Sequence, residues 1–230
     1  MTISKKNLIL TISLAVLAAF WYGCSLAGGL AGVASSETES EKITKAEFKL
    51  KQTEGKILVL VHQSGWIKSP MDLRSELTKY INESLVNKEN VKLDKERIIE
   101  YNDVLKARLQ LSEDKRDEPN QIAAKLQARY IIYVQILDFD LQTFAERNIY
   151  NGLMSANFCL LDESGKKLWP QGDNNKTSLV EIEAEKGTME KSVAKLAAAT
   201  AHCITRYFYD CRTIRFRPPE EHRDAESYDF

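Results

Sequence analysis

Two runs limit the possible folds of this chain more than any other feature: KILVLVH, Lys56 to His62, and RYIIYVQIL, Arg129 to Leu137. Each is apolar and rich in β-branched side chains at successive positions, and Gly55 precedes the first. Side chains of a strand alternate between two faces, so a run that is apolar on both has no face left for water. Both runs are therefore expected inside a sheet that is covered on its two sides. In the second run Tyr130, Ile132, Val134 and Ile136 share one face, and Ile131, Tyr133 and Leu137 the other.

Helices must supply the cover. Leu73, Leu77, Ile81 and Leu85 recur every four residues, which predicts a helix over 71–86 with one apolar stripe. A short strand is expected near 90–93, followed by a helix from Asp94 to about Leu111 with Ile98, Tyr101, Leu105 and Leu109 on one face. Pro119 starts another short helix in which Ile122, Ala123 and Leu126 face inward. Leu153 to Asp162 alternates as an antiparallel strand does, Ser164-Gly165 turns the chain, and a short strand returns to Trp169. A strand over about 177–185 and a long helix over about 188–210 complete the order. The fold class is α/β (α+β): a mixed sheet of about five strands with helices packed against it.

The N-terminus reads as an address. Lys5 and Lys6 precede an apolar run from Leu8 to Phe20, which ends at Gly23-Cys24, the three parts of an export signal. The end of that run resembles a bacterial lipoprotein signal, in which the cysteine is lipidated and becomes the first residue of the mature chain. On that resemblance Cys24 is the lipidation site, and Ser25 after it implies the outer membrane, facing the periplasm. An uncleaved membrane anchor and an ordinary secreted chain remain as alternatives. The domain organisation expected is a signal at 1–23, a flexible tether at 24–45, a globular α/β domain at 46–212 and a polar tail at 213–230. The tether, SLAGGLAGVASSETESEK after Cys24, is too small and polar to bury a core.

Charge narrows the partners. The whole chain carries a formal −1, and without residues 1–23 the balance is 30 basic against 33 acidic residues. No nucleic-acid partner is expected, and overall charge would not draw the mature chain to an anionic surface.

Motifs of catalysis are missing from the sequence. His62, His202 and His222 have no metal-pair spacing, and no metal or cofactor is expected. Asp138 with Asp140, and Glu181 with Glu183, share strand faces and are best read as solvated. Cys159, Cys203 and Cys211 are read as small buried side chains or as members of a disulfide; 203 and 211 on one continuous helix would lie about 12 Å apart, too far to bond. Arg206, Tyr209, Arg212 and Arg215 form an aromatic and arginine-rich end to the last helix, read either as core with solvated arginines or as a partner surface. Trp66, in the loop QSGWIKSP, is a second candidate for a partner surface.

The first strand 56–61, the passage IAAKLQARYIIYV at 122–134 and the hairpin SANFCLLDESGKKLW at 155–169 resemble, in that order, the envelope lipoprotein group of the TolB N-terminal domain, the curli-secretion lipoprotein and the penicillin-binding-protein activators. The resemblance implies a lipid-anchored, non-catalytic binding or assembly component of the cell envelope. It associates with the membrane through a lipid on Cys24 and with an envelope protein or with itself. The alternative is an oligomeric subunit of an envelope transport or secretion machine.

Overall fold

The computed structural model describes residues 42–88, 91–144 and 148–213, and the domain lies in the compact unit Ile43–Arg212. Its strands are β1 (Lys42–Thr44), β2 (Lys56–Gln63), β3 (Ala128–Phe144), β4 (Ile149–Asp162), β5 (Lys167–Trp169), β6 (Lys176–Lys186) and β7 (Cys211–Thr213). Its helices are α1 (Leu73–Asn87), α2 (Tyr101–Leu109), α3 (Pro119–Leu126) and α4 (Met189–Thr205). No described helix is long and apolar enough to cross a membrane.

The main sheet has five strands. β2 runs parallel to β3, β3 antiparallel to β4, and both β5 and β6 pair with the far edge of β4. The two apolar runs sit where their composition demands. Ile57, Val59 and Val61 of β2, with Ile132, Val134 and Ile136 of β3, belong to one core cluster, which takes in the apolar stripes of α1 and α4. Leu58, Leu60 and Ile131 face the other way, into a smaller cluster with Val104 and Ala107 of α2 and Ile122 and Ala123 of α3. Burying such side chains is the main stabilising term, about 1.5–3 kcal/mol for each large one.

Local chemistry sets the helix ends. The Asp72 carboxylate caps α1 by accepting the Arg74 N–H at 3.1 Å, and the Thr188 hydroxyl caps α4 by accepting from Lys191. Pro119 occupies the first turn of α3, where its missing N–H costs nothing. α3 closes on Gln127 in the left-handed region, φ 55°.

The segment between α1 and α2 departs from expectation. No strand forms at 91–93; instead Ile98 bridges Ile57 and the Ile99 N–H donates to the Ile57 carbonyl at 3.1 Å. These contacts occupy the free edge of β2, which an extra turn of helix would leave open. Helix therefore begins at Tyr101 rather than at Asp94, whose side chain makes no cap for the short turn Lys95–Arg97. β3 also carries a bulge between Ile136 and Asp138. The bulge shifts the alternation, so Phe139 and Leu141 join the face of Ile136 and pack on the larger cluster.

A second, two-stranded sheet joins β1 to β7. Lys42–Thr44, within the stretch read as tether, thus pair with the strand that leads into the polar tail.

Candidate functional site

Two regions bring reactive and aromatic side chains together. The first lies at the carboxyl end of β2. There Gln63, Ser64, Gly65, Ile67, Ser69, Pro70, Met71, Asp72 and Arg74 line an open cleft of about 550 Å³. Ligands of α/β sheets commonly bind outside the carboxyl ends of the strands. The loop is tied by Gln63, whose Nε2 donates to the Ile67 carbonyl at 2.9 Å. Trp66 stands on its tip, 67% exposed. A tryptophan kept in water on an ordered loop is a surface that a partner can cover.

Asp72 organises the cleft wall. Besides capping α1, its Oδ1 receives Arg74 Nε at 3.1 Å and its Oδ2 receives the Tyr101 hydroxyl at 2.8 Å. Burial works against ionisation of Asp72, but the Tyr101 hydrogen bond and the Arg74 guanidinium outweigh it and hold the carboxyl below its ordinary value. Burial, and then the same carboxylate, pushes the Tyr101 phenol up to about 12.

The second region is the end of α4. The tight turn Arg206–Phe208 follows the helix, and Trp169, Phe158, Tyr207 and Phe208 form a nest with centroids 5.2–6.0 Å apart. Lys176 Nζ lies 5.0 Å from the Tyr207 ring centre and 5.8 Å from that of Trp169, and Arg206 lies over Tyr207 at 5.3 Å. Glu47 closes the nest: it accepts from Trp169 Nε1 and from Lys176 Nζ, each at 3.1 Å. The N–H groups of Glu47 and Phe48 both donate to the Tyr207 carbonyl, and the Ala46 N–H donates to Asp210 Oδ1 at 2.9 Å. The chain entering from β1 is thus clasped to the end of α4.

Trp66 and Arg206 reach the surface, whereas Tyr209 is 6% exposed and belongs to the core. The turn after α4 breaks the helical period and rotates Tyr209 inward. Its hydroxyl lies 3.5 Å from His202 Nδ1, and burial, then Cys211, pushes it up to about 12. The backbone of Arg212 runs in β7. Cys24, Arg215 and His222 lie outside the described residues. Glu47, Lys176 and Tyr101 were not legible as site residues, because each acts through a partner far away in sequence. Asp72 alone carried a local signal, an acidic residue one step before a leucine-periodic run.

The remaining candidates disperse. Cys159, Cys203 and Cys211 are buried, and burial pushes the Cys159 thiol up, which disfavours the reactive thiolate. Asp138, Asp140, Glu181 and Glu183 are exposed. Asp140 and Glu181 flank Leu153 from opposite sides, about 10 Å apart across two strand spacings. Among the described residues no three His, Cys, Asp or Glu side chains gather as a metal site.

The two raised phenols give a direct check. Tyrosine carries no charge when protonated, so a raised folded value stabilises the native state below the ordinary value near 10, and that contribution fades as pH climbs through about 12. In an alkaline titration of phenolate absorbance, Tyr101→Phe and Tyr209→Phe are each expected to remove one tyrosine from the late step near pH 12. A wild-type curve with no component later than the ordinary midpoint near pH 10 would mean that these two phenols are not buried as described.

No family model matches the chain, and no curated protein matches it. Several solved structures resemble it. A PelC dodecamer from Paraburkholderia phytofirmans, a point variant crystallised in space group C2, shares 13% identity and covers 74% of this chain and 98% of its own, with a TM-score of 0.43. Lipoprotein GNA1162 from Neisseria meningitidis shares 14% identity over 66% of this chain and 99% of its own, with a TM-score of 0.40. A minor lipoprotein from Acinetobacter baumannii shares 13% identity over 67% and 91%, with a TM-score of 0.30. These likenesses do not identify the TolB, curli-secretion or penicillin-binding-protein-activator group, and none assigns this chain a family.

Proposed function

We propose that the chain is a lipid-anchored protein of the bacterial cell envelope that works by binding, without catalysis. The observation that carries this reading is the N-terminal sequence: two lysines, an apolar run from Leu8 to Phe20 and Gly23-Cys24, followed by a Gly-, Ser- and Glu-rich stretch that ends where β1 begins. Such a chain carries one compact domain at the end of a tether. A single acyl chain gives only marginal membrane binding, so the anchor of this reading is the multiply acylated Cys24. Trp66 on its ordered loop is the surface offered to a partner, and outer-membrane attachment facing the periplasm is the address.

A second reading, an oligomeric subunit of an envelope transport or secretion machine, draws on β6. β6 has a strand partner only on its β4 side among the described residues, and an open edge can accept another strand. Sedimentation of the detergent-solubilised protein separates a monomer from a ring.

The test of the anchor is the intact mass of the N-terminal peptide from membrane-extracted protein. Wild type is expected to begin at Cys24 with a diacylglyceryl or triacyl adduct, and Cys24→Ala to lack it and keep residues 1–23. An unmodified wild type that retains residues 1–23 overturns the lipoprotein reading and leaves the same stretch as a membrane anchor.

A further inference from the structure

We propose that the bare part of the main sheet, on the face that α2 and α3 share, docks a basic amphipathic helix of a partner protein. The smaller core cluster under α2 and α3 reaches only as far as Tyr133 of β3 and Cys159 of β4. Beyond that line the two strands run on and β6 joins them, while α1 and α4 pack on the opposite face. In the register of the strands Asp140 and Glu181 both lie beside Leu153, and Asp138 and Leu179 both lie beside Ser155. Asp138 with Asp140 on β3 and Glu181 with Glu183 on β6 thus make two acidic columns, with the uncharged β4 between them. Leu153 is partly exposed at the centre, and Leu179, its diagonal neighbour, is 59% exposed and widens the apolar strip. The stretches 135–142, 151–157 and 177–183 contain no lysine or arginine. None of the four carboxylates makes an ion pair among the described residues.

Charge and width together select the occupant. Two strand spacings set the acidic columns about 10 Å apart, and a helix with its side chains is about 10–12 Å wide. Laid along β4, a helix puts an apolar stripe on Leu153 and Leu179 and a row of lysines or arginines against each column. An extended segment laid flat on the same face would hold backbone N–H and C=O groups unpaired over the leucines, whereas a helix satisfies its own. A second copy presenting this face would set carboxylate against carboxylate. Residues 149–157 of β4 run about 27 Å, which about eighteen residues of helix match. The inference does not depend on the lipid anchor, so either can fail without the other.

The experiment uses the full chain in detergent and a synthetic peptide of about eighteen residues, with a leucine stripe flanked on both sides by lysines, beside a scrambled peptide of the same composition. Wild type and variants share one detergent, so partition of the peptide into micelles is common to all. A carbodiimide, which joins an ammonium to a carboxylate in direct contact, is expected to link the peptide to Asp138 or Asp140 on one side and to Glu181 or Glu183 on the other, as read by mass spectrometry. The scrambled peptide should link several-fold less. Asp140→Lys with Glu181→Lys is expected to weaken binding about tenfold at low salt and to favour a glutamate-flanked peptide instead. Leu179→Ser, at a position already exposed, should weaken it several-fold. Links at other carboxylates, or equal binding by wild type and both variants, overturn the proposal. Carboxylates that resist labelling without the peptide and become reactive at high salt also overturn it, since a basic segment of the chain itself would then cover the face.

Discussion

Replacement of Phe158 by alanine is expected to lower folding stability by about 3–5 kcal/mol, among the largest costs of a single truncation in a core. Phe158 is fully buried on β4, the strand that pairs with β3, β5 and β6. Its ring lies 6.0 Å from that of Trp169 and 5.7 Å from that of Tyr207, so the substitution removes both burial and aromatic packing. The cavity would open within the nest at the clasped chain ends, where β4, β5 and the turn after α4 fix the walls and leave little room for collapse. Urea unfolding is the measurement: the midpoint should fall with its slope unchanged, and Phe158→Leu should recover most of the loss. A cost under about 1 kcal/mol would place the ring at the surface, against the packing described.

Gly152→Val is expected to destabilise by about 1–3 kcal/mol through overpacking. A β-carbon at Gly152 would lie 2.6 Å from Leu196 Cδ1, 3.0 Å from Leu141 Cδ1 and 3.3 Å from Ile182 Cγ1. The glycine therefore marks a place where α4 packs tightly on the sheet. The first of these neighbours is the tip of a leucine, so alanine can be accommodated to some extent by rotation, whereas the branched valine meets all three. Leu196→Ala in the same chain should relieve much of the clash, giving a favourable coupling in a double-mutant cycle. Additive losses, or a neutral Gly152→Val, would show that α4 does not seat on β4 as described.

Where the hydrophobic period was long, the sequence revealed the fold. The strands at Lys56 and Arg129, the four-residue repeat of α1, the Ser164-Gly165 hairpin and the stripe of α4 all follow from side chains that choose between core and water over two or more turns. Shorter or non-local features escaped. Ile98 looked like part of a helix face, yet with Ile99 it covers the edge of β2, and a pattern of apolar residues cannot distinguish those two uses. The bulge in β3 was invisible because one inserted residue leaves the composition unchanged while it turns Phe139 and Leu141 inward. β1 and β7, three residues each, are too short to show any period. Of the surface candidates, Trp66 stands exposed and Tyr209 does not. The clasp of Glu47, Trp169, Lys176 and Tyr207 could not be found at all from local patterns, since its members come from four separate stretches of the chain.

That clasp gives the domain a mechanical character. A pull on the N-terminal end first meets β1, whose few rungs can open in succession under small force. The next grip is of another kind. Leu50 is fully buried, Glu47 is gripped by an indole and an ammonium, and two N–H groups share the Tyr207 carbonyl, so these contacts must yield nearly together. A pull on the N-terminal side therefore meets a soft zip followed by a stiff latch: the three-residue pairing of β1 opens first, and the contacts of Glu47, Phe48 and Leu50 hold until a larger force.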